Sequence, residues 1–365
     1  MNKMGFGFLR LPQTKAEGGE IEWEKVNEMT DLFLARGGDY FDTAYTYLDG
    51  KSEEAIKRCV VQRHPRSSFR LADKLPSWKV KSPDECQKYF DEQLERCCVD
   101  FFDVYLLHWL NAANYEIAEK NNEFQFLQKV KAEGKAKRIG FSYHDSAALL
   151  DRILTAHPEV DIVQLQINYL DWESAGIEAR KCYETAAKHG KAIVVMEPVK
   201  GGTLASLPAE AEALFRERDE KASMASWALR FVQSLDQVEI VLSGMNDIEQ
   251  VKDNMRDVSP LTDDEKQLME RAAEIIRGST AVPCTGCRYC VPNCPMKISI
   301  PDYFRMYNEI TRYPNDGWKI KPSYAELTLT HGKASACIGC RSCERNCPQH
   351  LEISSILKDV AAALE

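Results

Sequence analysis

From Gly5 to about Ile276 the chain alternates eight times between a short β-branched or aromatic run and a longer segment with apolar residues at helical spacing. The runs "GFGFL", "DYFDT", "FRLAD", "FFDVYLLH", "AKRIGFS", "DIVQLQIN", "AIVVME" and "VEIVLSG" read as strands. Helices are expected at Glu22–Arg36, Glu53–Val60, Pro83–Cys98, Glu123–Glu133, Ser146–Leu154, Gly176–His189 and Lys221–Gln233, with Ile248–Met255 and Asp263–Ile276 after the last strand. Strands joined through helices lie parallel, and eight parallel strands close on themselves, so an α/β fold with a (β/α)8 TIM barrel is expected. An open doubly wound sheet is the alternative, but no GxGxxG follows the first strand.

After Ile276 the stretch "RGSTAVP" reads as a linker, which divides the chain into a barrel over 1–277 and a second domain over 278–365. Thirteen cysteines occur; Cys59, Cys86, Cys97, Cys98 and Cys182 are scattered, and the other eight fall in two blocks that align as an internal repeat, "CTGCRYCVPNCP" on "CIGCRSCERNCP". Soft thiolates at CxxCxxC spacing wrap one face of an iron-sulfur cube, and the fourth cysteine before proline ligates the other cube in two-cluster ferredoxins. On that pattern one [4Fe-4S] cluster takes Cys284, Cys287, Cys290 and Cys347, and the other takes Cys337, Cys340, Cys343 and Cys294. Gly286 and Gly339 free backbone N–H groups to approach sulfur. A pair of four-cysteine zinc sites is the alternative, though zinc requires neither the third thiol nor CxxxCP. With "IPDYFRMYNEI" and "SSILKDVAAALE" reading as helices, the tail is expected to be a small helical two-cluster ferredoxin-like domain.

The net charge of −9 excludes a nucleic-acid binder, which needs a concentrated basic surface. From Cys284 onward the balance is 10 basic against 8 acidic residues, so a mildly basic tail sits on an acidic body and could receive an acidic redox partner such as ferredoxin or flavodoxin. No apolar run approaches the roughly 20 residues of a membrane span, and "MNKMGFGFLRLP" is too short for a signal peptide. A cytoplasmic protein is expected.

Barrel chemistry sits at the C-terminal ends of strands. The polar residues there are Asp42 and Tyr47 after the second strand, Lys74 after the third and His108 after the fourth. A lysine beside a phenol favours phenolate, a carboxylate holds that lysine charged, and a histidine can donate to a carbonyl oxygen. At "FDTAYTY", "LADKLP" and "YLLHW" the chain resembles the aldo-keto reductase family, and with its tail the subgroup that carries a C-terminal 4Fe-4S ferredoxin-type domain. The resemblance implies that Tyr47 gives the proton to the carbonyl, that Lys74 and Asp42 tune it, and that His108 orients the substrate.

It also implies an extended nicotinamide cofactor. Ser142 and Gln164 match residues that hold the carboxamide, and Met196 stands where a tyrosine usually stacks on the ring. Pro198 and Gly201 in "PVKGG", with Gly244, Met245, Gln250 and Asn254 in "SGMNDIEQVKDN", match parts lining the pyrophosphate and adenine ends. Where NADP-preferring members place a cation near the 2'-phosphate, this chain has Met245, Asn246 and Gln250, which favours NAD or no preference. Trp109, Tyr115 and Trp172 are expected at the mouth. The function expected is an iron-sulfur oxidoreductase interconverting a small-molecule carbonyl and alcohol with NAD(P)H, with coupling to electron transfer through the two clusters as an added expectation; the alternatives are a flavin-linked or ferredoxin-linked electron-transfer enzyme and a low-turnover regulatory subunit.

Overall fold

The protein is seen here as a computed structural model that describes residues 3–15, 19–312 and 317–365. It folds into two compact units, Met1–Val199 with Ala225–Asp263, and Lys200–Met224 with Asp264–Glu365. The expected boundary at 277/278 falls inside a helix, Asp263–Ser279. That helix runs through Gly278 and shortens the linker: one interior glycine costs only about 1 kcal/mol, and the face of Met269, Ala272, Ala273 and Ile276 is buried.

In the first unit, eight strands close into a barrel in sequence order. They are β1 (Met4–Gly7), β2 (Tyr40–Asp42), β3 (Arg70–Leu75), β4 (Phe102–Leu110), β5 (Ala136–Tyr143), β6 (Ile162–Gln166), β7 (Ala192–Met196) and β8 (Val238–Ser243). Every neighbour pair is parallel, including β1 with β8 through Gly5 and Leu242. Tyr40, Ala72, Val104, Leu106, Ile162, Val194, Ile240 and Leu242 form a separate small core from strand positions of one parity, the filling of the barrel interior. The opposite parity, with Phe41, Leu71, Leu75 and Leu107, packs outward on helices through residues such as Phe33 and Phe90. Gly140 is required at the β5–β6 contact, where a Cβ would stand 2.0 Å from the Ile162 carbonyl oxygen.

The helices that matter for the site are α1 (Trp23–Ala35), α2 (Lys51–Ile56), α3 (Pro83–Cys97), α4 (Ala112–Lys120) and α5 (Glu123–Ala132). The α3 helix starts with proline in its first turn after Ser82 and ends where Cys98 turns left-handed, at φ 59°. The helices α4, Ala209–Arg218 and Gly317–Leu327 have no counterpart in the sequence reading, because they lie where longer connections were expected. Among the described residues no helix is long and apolar enough to cross a membrane.

The second unit is helical around its own core, with Ile300–Arg312, Gly317–Leu327 and Ile353–Leu364 burying Tyr303, Phe304, Tyr324, Leu357 and Val360. The Tyr303 and Tyr324 rings lie 4.6 Å apart. Their hydroxyls donate to the Gly332 carbonyl at 2.9 Å and to Glu365 Oε1 at 2.7 Å, which ties the cysteine blocks' surroundings to the chain end.

Candidate active site and thiolate centres

The residues expected from the strand ends do come together. Lys74 Nζ donates to Asp42 Oδ1 over 2.7 Å and to the Thr43 carbonyl over 2.6 Å. Its ammonium lies 4.8 Å from the Tyr47 ring centre, and the Tyr47 ring stands nearly perpendicular to His108, 5.5 Å between centres. All four side chains are buried. Register explains the convergence: Asp42 ends β2, Lys74 is next to last in β3 and His108 lies two residues before the end of β4, all facing the C-terminal mouth.

Burial lifts the Asp42 carboxyl above its ordinary range, and the charge and hydrogen bond of Lys74 pull it back. His108 is pushed well below the usual imidazole range, first by burial and then by Lys74 and His144, so its ring is neutral. Its Nδ1 is buried and has no hydrogen-bond partner among the described residues. A neutral imidazole between an ammonium and a phenol can donate to a carbonyl oxygen but does not compete for the proton of that phenol.

The expected nicotinamide residues follow on the next strands. Ser142 Oγ accepts the Trp109 N–H at 2.7 Å, and the Gln164 amide donates to Met196 Sδ at 3.7 Å. Gln164 Oε1 is buried without a hydrogen-bond partner, an acceptor of the kind a carboxamide NH2 would fill. At the nucleotide end, Asn254 Nδ2 donates to Ser243 Oγ at 3.0 Å, and Asn246 and Gln250 bond each other at 2.9 Å. Met245 is fully buried in the core. Pro198 follows β7, two residues beyond Met196, whereas Gly201 belongs to the second unit, where its left-handed backbone lies against Thr285.

Several neighbours were not legible beforehand. The Trp78 ring lies 5.1 Å from His108 and 5.5 Å from Trp109. Of the three aromatics expected at the mouth, only Trp109 is part of this group. Tyr115 packs on Phe124 and His157, and Trp172, in the turn after β6, packs on Tyr183 and Phe231. Arg10 lays its methylenes over Gly244, where a Cβ would meet them at 3.2–3.3 Å, and its guanidinium faces Glu197 at 3.9 Å. Position 10 lies in the turn after β1, and nothing in the sequence joins it to β7 and β8.

Behind Lys74, Asp73 points outward into a second buried group. It is held well above the carboxylate range by burial and by Glu53, while Arg96 Nη1 bonds Glu53 Oε2 at 3.0 Å and Cys97 donates to Asp73 Oδ2 at 3.7 Å. Burial lifts the Glu53 carboxyl as well, and Arg96 pulls it back. Nearby, Ser77 Oγ donates to Glu123 Oε2 at 2.6 Å, and burial pushes the Glu123 carboxyl up to about 7.

In the second unit the two cysteine blocks repeat in backbone as well as in sequence. Gly286, Arg288 and Lys297 have φ of 66°, 66° and 53°, and their counterparts Gly339, Arg341 and His350 have 69°, 57° and 52°. Cys294, Cys337, Cys340 and Cys343 line one cavity together with Met296, Ile338 and Arg341. Cys290 is pushed above the thiol range by burial and by its neighbours Cys287, Cys284, Cys347 and Cys343. Cys294 of the first block thus lies with cysteines of the second, and Cys290 feels cysteines of both blocks.

These donors fit an iron-sulfur cube. Gly286 N donates to Cys284 Sγ at 3.4 Å and Ile298 N to Cys294 Sγ at 3.5 Å, and backbone N–H groups of Leu351, Gln349 and His350 point at Cys347. Among the described residues no three His, Cys, Asp or Glu side chains are gathered closely enough for a single metal ion.

Comparison with known proteins agrees with this geometry. Residues 3–274 match the aldo/keto reductase family, and residues 283–351 match the 4Fe-4S dicluster domain. The NADH-specific methylglyoxal reductase of Escherichia coli is 23% identical over 76% of this chain and 96% of its own length. L-galactose dehydrogenase of Arabidopsis thaliana is 24% identical over 70% of this chain and 84% of its own. Among solved structures, the holo form of an aldo-keto reductase from Bacillus halodurans superposes with a TM-score of 0.61 at 22% identity, covering 74% of this chain and 91% of that one. A Klebsiella pneumoniae aldo/keto reductase in complex with NADP and acetate gives 0.61 at 21% identity, over 74% and 90%. The chain is an oxidoreductase of the aldo/keto reductase family that carries a 4Fe-4S dicluster domain.

Proposed function

We propose that the barrel interconverts a small-molecule carbonyl and its alcohol with NAD(P)H, and that the second unit holds two [4Fe-4S] clusters able to exchange electrons with a redox partner. The observation that carries the barrel reading is the buried Lys74 ammonium, fixed by Asp42 at 2.7 Å and set 4.8 Å from the Tyr47 ring. When bound, the nicotinamide supplies hydride equivalents. The protein's own part is acid catalysis and positioning. Tyr47 gives its proton to the carbonyl oxygen, and Lys74 stabilises the phenolate left behind. His108, neutral, donates to the same oxygen and orients it. Gln164 Oε1 and the Ser142 hydroxyl are the groups that would hold the carboxamide, and Trp78 and Trp109 form an apolar wall that restricts water.

The two clusters would sit on Cys284, Cys287, Cys290 and Cys347, and on Cys337, Cys340, Cys343 and Cys294. Similarity to an NADH-specific relative, together with neutral, mutually bonded Asn246 and Gln250, supports NAD(H) or no preference. A flavin in the same groove would be visible in the absorbance of anaerobically purified protein. The direct test is Tyr47→Phe, which removes the proton donor and leaves packing nearly intact. Turnover of a carbonyl substrate should fall by a factor on the order of a hundred or more; near-normal turnover would remove Tyr47 from the reaction.

A further inference from the structure

The internal repeat gives each cluster site an equivalent face, and the two faces are finished differently. Thr285 and Ile338 are the residues after the first cysteine of each block; Gln349 and Met296 stand two residues after the fourth. At the first set, Thr285 is 3% exposed and its carbonyl lies where a Gly201 Cβ would come within 2.0 Å, while Gln349 Oε1 accepts from Lys200 Nζ at 3.3 Å. The Lys200–Ala205 turn thus covers this face. At the second set the equivalent residues are bare and apolar. Ile338 is 65% exposed, Met296 is 37% exposed, and Cys340 is exposed between them on the open cavity.

The rim of that bare face is mainly cationic: Lys297, Arg341 and Arg345 are exposed. The one acidic residue of the block, Glu344, accepts from the Ser354 N–H at 2.8 Å and from its hydroxyl, and lies 3.7 Å from Arg341 Nε. An apolar patch around a redox centre, ringed by cations on a chain of net charge −9, fits a partner with an acidic rim.

We propose that the face formed by Met296, Lys297, Ile338 and Arg341 docks a small acidic one-electron carrier protein of the ferredoxin class, and that the cluster on Cys294, Cys337, Cys340 and Cys343 is where its electrons arrive. This rests on the two-cluster reading above. In each event the reduced carrier would lose one electron and the cluster held there would gain one.

The test uses the full chain, anaerobically purified, with its clusters counted by iron content and electron paramagnetic resonance. A reduced acidic [2Fe-2S] ferredoxin is mixed with wild type, Arg341→Glu and Ile338→Ser, and cluster reduction is followed at several salt concentrations. Photoreduced deazariboflavin, small and neutral, serves as the reference donor. Arg341→Glu should slow reduction by ferredoxin about tenfold at low ionic strength, with the difference fading as salt screens it. Ile338→Ser should weaken binding of oxidised ferredoxin, read by titration, and neither change should alter reduction by deazariboflavin. If both clusters are present and ferredoxin reduces all three proteins at one salt-independent rate, the docking face is wrong. If the second cluster is missing from wild type, the two-cluster reading fails and the docking face with it.

Discussion

Lys74 Nζ and Asp42 Oδ1 lie 2.7 Å apart where the two side chains are 0% and 3% exposed, so each charge depends on the other for stability in the fold. The same bond leaves Asp42 Oδ2 buried without a partner, which keeps the pair asymmetric and fixes the carboxylate in one orientation. Removing one member of a buried pair strands the other, at a cost of about 3–5 kcal/mol. Asp42→Asn should therefore destabilise the protein by about 3 kcal/mol in denaturant unfolding. Adding Lys74→Met should restore part of the stability but none of the turnover. Full activity in either variant would dissociate the pair from catalysis.

Nucleotide choice can be read at Asn246 and Gln250. They satisfy each other, Met245 is buried, and Arg10, which lies over Gly244, faces Glu197. NADH should bind at least as tightly as NADPH in a fluorescence titration. A preference for NADPH of about a hundredfold would mean that Arg10 leaves Glu197 for the 2'-phosphate, and Arg10→Leu would then abolish the preference.

Glu123 makes stability depend on pH near neutrality. Its carboxyl titrates at about 7 in the fold against an ordinary 4.5, because burial outweighs the Ser77 hydrogen bond. Between those values the native chain keeps a proton that the unfolded chain has released, so stability falls as pH rises through that window, by up to about 3 kcal/mol. Glu123→Gln stays neutral and still accepts from Ser77. Measured by denaturant unfolding, the variant should gain on wild type between pH 5 and pH 8; an unchanged difference would show that Glu123 is ionised throughout.

Cys294 belongs by sequence to the first block and by space to the second cavity. Cys294→Ala should therefore damage the cluster on Cys337, Cys340 and Cys343 and leave the other intact. Electron paramagnetic resonance of the reduced protein separates the two. Loss of the cluster on Cys284, Cys287 and Cys290 instead would reverse the ligand assignment.

What the sequence revealed follows from where each interaction is encoded. Asp42, Lys74 and His108 were readable because strand ends of a parallel barrel must face one mouth, so position alone brought them together. The cysteine sets were readable because the ligand pattern is written in local spacing. Arg10 over Gly244 was not, since that approach depends on how the turn after β1 lies across β8. The Glu53–Asp73 pair was hidden for a related reason: Glu53 raises the Asp73 carboxyl only once both are enclosed, and each alone reads as an ordinary surface acid. The packing of Tyr115 on Phe124 and of Trp172 on Phe231 was hidden too, because it depends on how separate segments meet. The last turn of the helix ending at Ser279 was missed because "RGSTAVP" was weighed without the buried face of the residues before it.

The cavity at Cys294 draws its sulfurs from both blocks, and this sets an order of events during synthesis. A ribosome that has released Cys284 through Cys294 has delivered four thiols, yet the fold that pairs them with the later block does not exist until Cys337 to Cys347 have followed. Iron therefore cannot be locked in while the barrel alone is complete; a nascent chain holds open, oxidisable thiols until the second block has emerged. A chain terminated between the blocks would carry a full barrel and no complete set of ligands, so metal content reports whether translation passed the second block.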